Sequence, residues 1–376
     1  KKQQIPAIRF KGFTENWEQR ELKEILKVNS GRDYKHLGSG SIPVYGTGGY
    51  MLSVNDKLSD KDAIGIGRKG TIDKPQYLKA PFWTVDTLFF MIPLNNFDLQ
   101  FLYTMTQKIN WKKMDESTGV PSLSKAVIEK VNQNIPSYQE QIKIGGFFKQ
   151  LDNTIALHQQ KQRQIRSLKQ GFIKNLFPNN KNSAPRIRFS IFNDDWNQRN
   201  ASEIFTSVSD KNYPELSVLS ASQEKGMVLR ESNGIDIKYD QKSTGTYKRV
   251  LPGQFVMHLR SFQGGFAYST IEGITSPAYT ILAFRNKEDH YPLFWKSIFS
   301  SKNFIKRLEA ITYGIRDGRS ISYADFSTLR FWIPSYEEQK QIGDFIESID
   351  ATIAFYQRQI DMMQSLKKEL LNKMFI

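Results

Sequence analysis

The chain reads as an α+β protein: two pseudo-symmetric α/β units and two long coiled-coil helices. Three observations predict this. The stretch Ile135 to Phe177 recurs as Ile333 to Phe375 at a constant offset of 198, with roughly 18 of 43 aligned pairs identical and no gap. Within each copy, apolar residues recur at alternating spacings of four and three. A second repeat, Ile8 to Arg20 against Ile187 to Arg199 at an offset of 179, marks where each half begins. The two offsets differ by 19, so the second half carries about 19 extra residues between its repeated ends. Duplication in register at this length is a repeat architecture and not chance.

Each long repeat opens with Ile-Pro-Ser, followed by a Glu three residues after the Ser (Glu140, Glu338). This is the signature of a capping box on Ser137 or Ser335. The seam then runs Ile144, Phe148, Leu151, Ile155, His158, Gln162, Ile165, Lys169, Phe172 and Leu176. In the second copy it runs Ile342, Ile346, Ile349, Ile353, Tyr356, Ile360, Met363, Lys367, Leu370 and Met374. An apolar seam held for more than four heptads predicts a coiled coil. About 38 helical residues at roughly 1.5 Å each give a rod of roughly 57 Å. Neither rod hides its own seam, and each is the natural partner of the other. Lys169 and Lys367 hold the same seam slot, and His158 and Gln162 also interrupt the first seam. Polar seam residues fix register and partner; the alternative is that these side chains snorkel from a frayed end.

The predicted organisation is a first domain over 1–134, a long helix over 135–178, a turn-rich linker over 179–186, a second domain over 187–332 and a second long helix over 333–376. In the first insert, Ile42 to Tyr45 predicts a strand entering the tight loop Gly46-Thr-Gly-Gly49. Ala63 to Gly67 and Leu88 to Ile92 predict further strands, and Asp98 to Met114 a helix. In the second insert, Tyr247 to Val250 and Gly253 to Met257 read as paired strands. Arg260 to Gly265 reads as a basic loop, Tyr279 to Phe284 as a strand and Leu293 to Leu308 as a helix. The two inserts align only near their ends, as expected of diverged versions of one task.

Composition narrows the function. The net charge is +15 and the pI about 9.6, which favours a polyanionic partner. There is no cysteine, which excludes disulfides and the common structural zinc sites and fits a reducing cytoplasm. No apolar run approaches the roughly 20 residues that span a bilayer, so no membrane partner is expected.

Catalytic motifs are not apparent. Gly65-Ile-Gly-Arg-Lys-Gly70 matches G-x-G-x-x-G, but a dinucleotide site needs a helix directly afterwards and Pro75 forbids one. The four histidines are scattered without metal-ligand spacing. No motif points to a catalytic site, a metal site or a cofactor bound by this chain, and a catalytic site assembled from distant residues stays open. What remains are loops that pair glycine with cations. Glycine lets backbone approach a ligand, Lys and Arg neutralise phosphates, and Arg forks onto guanine edges. The candidate DNA-binding residues are Tyr45, Thr47, Arg68, Lys69, Lys74 and Ser117 in the first insert. In the second they are Arg230, Lys248, Arg260, Gln263, Tyr313, Arg316 and Arg319. Taken singly, each is equally a solvated turn residue.

The repeated Ile-Pro-Ser…Glu-Gln motif with its long helix, together with IPVYGTGGY (Ile42 to Tyr50) and IGIGRKGTI (Ile64 to Ile72), resembles the specificity subunit of type I restriction–modification systems. The resemblance spans essentially the whole chain. It implies two target recognition domains, each reading one part of a bipartite, asymmetric double-stranded DNA site. It implies that the helices pack antiparallel as a ruler between them. It implies two methyltransferase partners using S-adenosylmethionine on adenine N6, and restriction–translocase partners using ATP and Mg²⁺. Two readings of other classes stand beside it: a self-contained nuclease or methyltransferase, and a DNA-binding scaffold or protein adaptor unconnected with restriction.

Overall fold

A computed structural model describes residues 5–178, 183–222, 225–233, 241–258, 261–311 and 321–376. It divides into two compact units. One comprises Lys1–Gln160 with Tyr356–Ile376, the other Lys161–Phe355. The long helices, Tyr138–Leu176 and Tyr336–Met374, are therefore not domains of their own: each unit takes part of both.

In the first unit the opening and closing motifs of the first half meet. Glu18–Glu21 pairs antiparallel with Asn132–Ile135. A four-stranded sheet has Leu88–Pro93 between Leu26–Ser30 and Ala63–Gly67, with Gln76–Leu78 on the outside. Ala63–Gly67 is buried throughout, as an inner strand with both faces covered should be. A second sheet is the hairpin Ser39–Gly46 and Gly49–Val54, joined in parallel by Trp83–Thr84. The expected helix starts at Leu99, where Asp98 accepts a hydrogen bond from Phe101 N at 2.8 Å. It stops at Lys108, and a 3₁₀ turn at Trp111–Met114 completes the predicted stretch.

Trp17, Phe101, Phe148 and Phe375 form one aromatic core; the Phe101 and Phe375 rings stack at 5.3 Å. The last helical turn thus closes the core of the first half. Between Tyr138–Gln160 and Tyr356–Met374 the contacts run in opposite directions along the two segments: Phe148 meets Phe375, Asp152 meets Lys367 and His158 meets Tyr356. Leu151, Ile155, Ile360 and Met363 make a small cluster of their own.

The second unit repeats the scheme. Asn197–Asn200 pairs antiparallel with Arg330–Ile333. Its four-stranded sheet runs Phe205–Val208, Thr280–Phe284, Phe255–Met257, Ala267–Tyr268. The expected pairing of the segments near 250 and 255 is corrected here. Lys248–Val250 pairs with Gly273–Thr275, while Phe255–Met257 pairs with Thr280–Phe284 and Ala267–Tyr268. Phe255, Val256 and Met257 are all buried, as befits a strand with a neighbour on each side. The predicted helix from Leu293 to Leu308 is also two helices, Pro292–Phe299 and Lys302–Ala310. It breaks at Ser301, whose hydroxyl accepts from Phe304 N. Phe177 packs on Phe294 as Phe375 packs on Phe101 in the first unit. The segments Lys161–Leu176 and Tyr336–Phe355 are again antiparallel, with Lys169 meeting Asp350 and Phe172 meeting Phe345.

Candidate nucleic-acid interface

Three loops of the first unit are knitted into one surface. The hairpin turns at Thr47-Gly48 and re-enters its strand at Gly49, whose φ of +109° only glycine adopts readily. The Gln76 amide donates to the carbonyls of Gly46 (2.9 Å) and Thr47 (3.1 Å), fastening the tip to the segment after Gly70. Gly70 N donates to Pro121 O at 2.8 Å and Leu123 N to Arg68 O at 2.9 Å, tying that segment to the loop from Asp115 to Ser122. The glycines of the rejected motif have a local role. A Cβ on Gly67 would lie 2.1 Å from Thr71 O, so the missing side chain lets the loop fold back on its strand. The chain then enters the strand Gln76–Leu78.

The charges on this surface are unequally engaged. Its carboxylates are occupied. Asp115 accepts from Ser117 N, Ser117 Oγ and Ser122 N, Asp73 pairs with Lys112 at 2.9 Å and Glu116 accepts from Ser124 N. The Ser122 and Ser117 bonds hold the Asp115 carboxyl below its ordinary pKa, and the hydrogen bond from Lys112 does the same for Asp73. Arg68, Lys69 and Lys74 are exposed and make no ion pair among the described residues. Arg68 only rests over the Phe89 ring at 5.8 Å. Exposed cations on a common surface that form no ion pair attract phosphates. Tyr45 and Thr47 lie half-buried at the hairpin, and Ser117 is held by Asp115. All six candidates of the first insert thus belong to these three loops or to the strand that feeds them.

Among the described residues of the second unit, the candidates are not brought together in this way. Lys248 donates to Tyr279 O at 2.6 Å, and burial lowers its pKa, so its ammonium ties its strand to the residue that precedes Thr280–Phe284. Arg230 is half-buried at the end of a strand, its N–H bound to Val218 O. Gln263 is exposed on a helical turn, Ser261–Gly264, where a loop was expected. Arg260, Tyr313, Arg316 and Arg319 lie outside the described residues.

The seam residues Phe148, Ile155, Ile346, Ile353 and Ile360 are buried, and Leu151, Ile165, Phe172, Ile349 and Leu370 half-buried. Lys169 and Lys367 do not fray into solvent. Lys169 holds both oxygens of Asp350 at 2.6 and 2.7 Å, and Lys367 holds Asp152 at 2.7 Å and Gln107 at 3.0 Å. The sequence reading missed the residues that dock each helix start. Glu140 and Glu338 were expected to complete capping boxes, yet their carboxylates are forked by Arg9 and Arg188. Gln141 accepts from Asp98 N, and Gln339 from Tyr291 N. Their recurrence in both repeats was the available signal.

Residues 14–167 match a family profile described as the Type I restriction modification DNA specificity domain. The Type I restriction enzyme MjaVIII specificity subunit of Methanocaldococcus jannaschii is 22% identical over 295 residues, covering 73% of this chain and 68% of that protein. The S subunit of a type I restriction–modification system from M. genitalium has the same fold, with a TM-score of 0.67 at 14% identity over 99% of both chains. A chain from a structure of type I R-M complex assembly and conformational transition superposes with a TM-score of 0.52 at 14% identity, over 95% of this chain and 97% of that one. Residues 14–167 thus carry the sequence pattern of the type I restriction–modification DNA specificity domain, and the chain is similar in sequence and fold to type I specificity subunits.

Proposed function

We propose that this chain is the non-catalytic DNA reader of a type I restriction–modification complex. Each unit reads one half of a bipartite site, and the helices fix the number of unread base pairs between the halves. The observation that carries this reading is the knitted loop surface on which Arg68, Lys69 and Lys74 are exposed and form no ion pair among the described residues. Such cations hold register on phosphates, and a few neighbouring side chains then read base edges. Because the two units differ in sequence, the site is asymmetric, unlike the palindrome read by a homodimer.

The chain brings no chemistry of its own in this reading. Two methyltransferase subunits supply adenine N6 methylation with S-adenosylmethionine, and restriction–translocase subunits supply ATP- and Mg²⁺-dependent cleavage. The long helices carry exposed Lys161, Arg163, Arg166, Lys174, Arg358, Lys368 and Lys373 outside the seam, with exposed Leu157, Leu168 and Met362. Bulky apolar side chains among cations suit docking of these partners.

The test is adenine-methylation mapping in a host carrying this chain with its methyltransferase. The expected result is one asymmetric split site. Deleting one heptad from each long helix removes roughly 10 Å of rise and is expected to alter the gap or abolish recognition. An unaltered gap would remove the ruler from the account. Replacing Arg68 and Lys69 together by Ala is expected to lower the slope of log affinity against log salt by about 2.

A further inference from the structure

We propose that Met51, supported by Tyr50, reads the C5-methyl group of a thymine in the half-site of the first unit. This assignment rests on the DNA-reading function above and adds the residue that supplies apolar base recognition.

The geometry is specific to the hairpin. Val44 pairs with Leu52 and Tyr45 with Tyr50, so Met51 has no partner across the ladder and forms a bulge. In a regular strand, neighbouring side chains face opposite sides and one of each pair turns inward. A bulge breaks that alternation and re-aims a side chain. Here it leaves both neighbours out: Tyr50 is 63% exposed and Met51 50%. Tyr50 stands edge-on to Tyr45, with ring centroids 6.5 Å apart, and its hydroxyl bonds Ser53 at 3.2 Å. Met51 lies over Gly46, where a Cβ would fall 2.7 Å from its sulfur. The thioether thus packs on the space that the glycine leaves open.

These residues occupy an edge strand, where an exposed apolar pair invites aggregation unless it has a partner. Charge names the partner. The hairpin is fastened to the loop that carries Arg68, Lys69 and Lys74, and the third loop presents Val120 at 56% exposure. An apolar group set among unpaired cations matches the edge of a base flanked by phosphates. Among the base edges of the major groove, thymine alone presents a methyl group. A flexible, polarizable thioether adapts to such a contact better than a branched side chain.

The experiment uses the full chain with its methyltransferase partners. The half-site is first mapped from adenine methylation. Each thymine of that half-site, on both strands, is then replaced singly by deoxyuridine, which deletes only the methyl group, and affinity is measured by competition. One position is expected to lose about four-fold with the native chain, the value of one buried methyl. Met51→Gln is expected to bind the thymine duplex more weakly and to show no further loss on the deoxyuridine duplex. Met51→Leu, which keeps the apolar contact and controls for folding, is expected to retain the discrimination. The assignment is overturned if every deoxyuridine duplex binds as well as the parent, if Met51→Gln discriminates like the native chain, or if the half-site holds no thymine. In all three cases specific binding persists and the DNA-reading function stands. Loss of specific binding by the native complex would instead remove both.

Discussion

Arg9 and Glu140 are 131 residues apart in the chain and meet in a forked ion pair, with both N–O distances 2.7 Å. Arg188 and Glu338, 150 residues apart, repeat the fork at 2.8 and 2.7 Å. Each arginine comes from the short repeat that opens a half, and each glutamate from the long repeat that closes it. The Glu140 side chain is 0% exposed and that of Glu338 1%. Removing the arginine leaves a buried carboxylate without a counter-charge, which costs about 3–5 kcal/mol. Arg9→Ala and Arg188→Ala are each expected to lower stability by that amount in urea denaturation. Arg9→Ala with Glu140→Gln is expected to recover part of it, because the residual group is then neutral. Equal losses in the single and double variants would show that the arginine acts through packing alone.

These pairs also show how far the sequence speaks. A repeat records which residues are kept, so the long helices and their seam were legible. It does not record who touches whom. Glu140 stands where a capping box would place it, and only the folded chain reveals that Arg9 arrives from 131 residues away. Strand pairing failed for the same reason. The segments near 250 and 255 are neighbours in sequence, but the buried Phe255–Met257 strand is claimed by Thr280–Phe284. The helix break falls at Ser301, a capping residue inside an otherwise apolar run. At the candidate surface of the first unit, glycine and cation pointed to loops that the fold brings together, whereas the bulge at Met51 is a register shift that no residue type announces.

The paired lysines of the seam are expected to set register more than stability. Lys169 and Asp350 are 21% and 30% exposed, and Lys367 and Asp152 18% and 33%. Solvent screens pairs of this kind, so Lys169→Met is expected to cost about 1–2 kcal/mol, between the exposed and the buried case. Lys169→Met with Asp350→Leu is expected to restore stability, since no stranded charge remains. Double-mutant analysis of urea midpoints measures the coupling, and a coupling near zero would return Lys169 to the frayed-end reading.

Gly67 separates a structural glycine from a permissive one. Alanine there would place its Cβ 2.1 Å from the Thr71 carbonyl oxygen, which is backbone and cannot swing aside. Gly67→Ala is expected to cost about 1–3 kcal/mol and to displace the loop carrying Arg68 and Lys69. Gly48→Ala meets nothing within 4 Å at the hairpin tip and is expected to be neutral in stability. Comparing thermal midpoints and DNA affinity of the two variants checks this. Equal behaviour would mean that the loop relaxes without penalty.

His290 predicts an acid-sensitive step in the second unit. Its ring stacks on Phe284 at 5.4 Å and meets Trp295 edge-on at 5.8 Å, and its Nδ1 is buried without a hydrogen-bond partner. Burial pushes its pKa from 6.5 down to about 4; Asp289 opposes the shift and Arg199 adds to it. The unfolded chain takes up this proton near pH 6.5, whereas the folded chain resists until about pH 4. Between those values the unfolded state binds more protons, so stability falls as pH falls and is fully present above 6.5. His290→Phe fills the same stacked site and carries no proton. Its urea midpoint is expected to stay flat from pH 6.5 to 5, above the range where carboxylates titrate, while that of the native chain declines. Parallel declines over that interval would assign the acid sensitivity to another group.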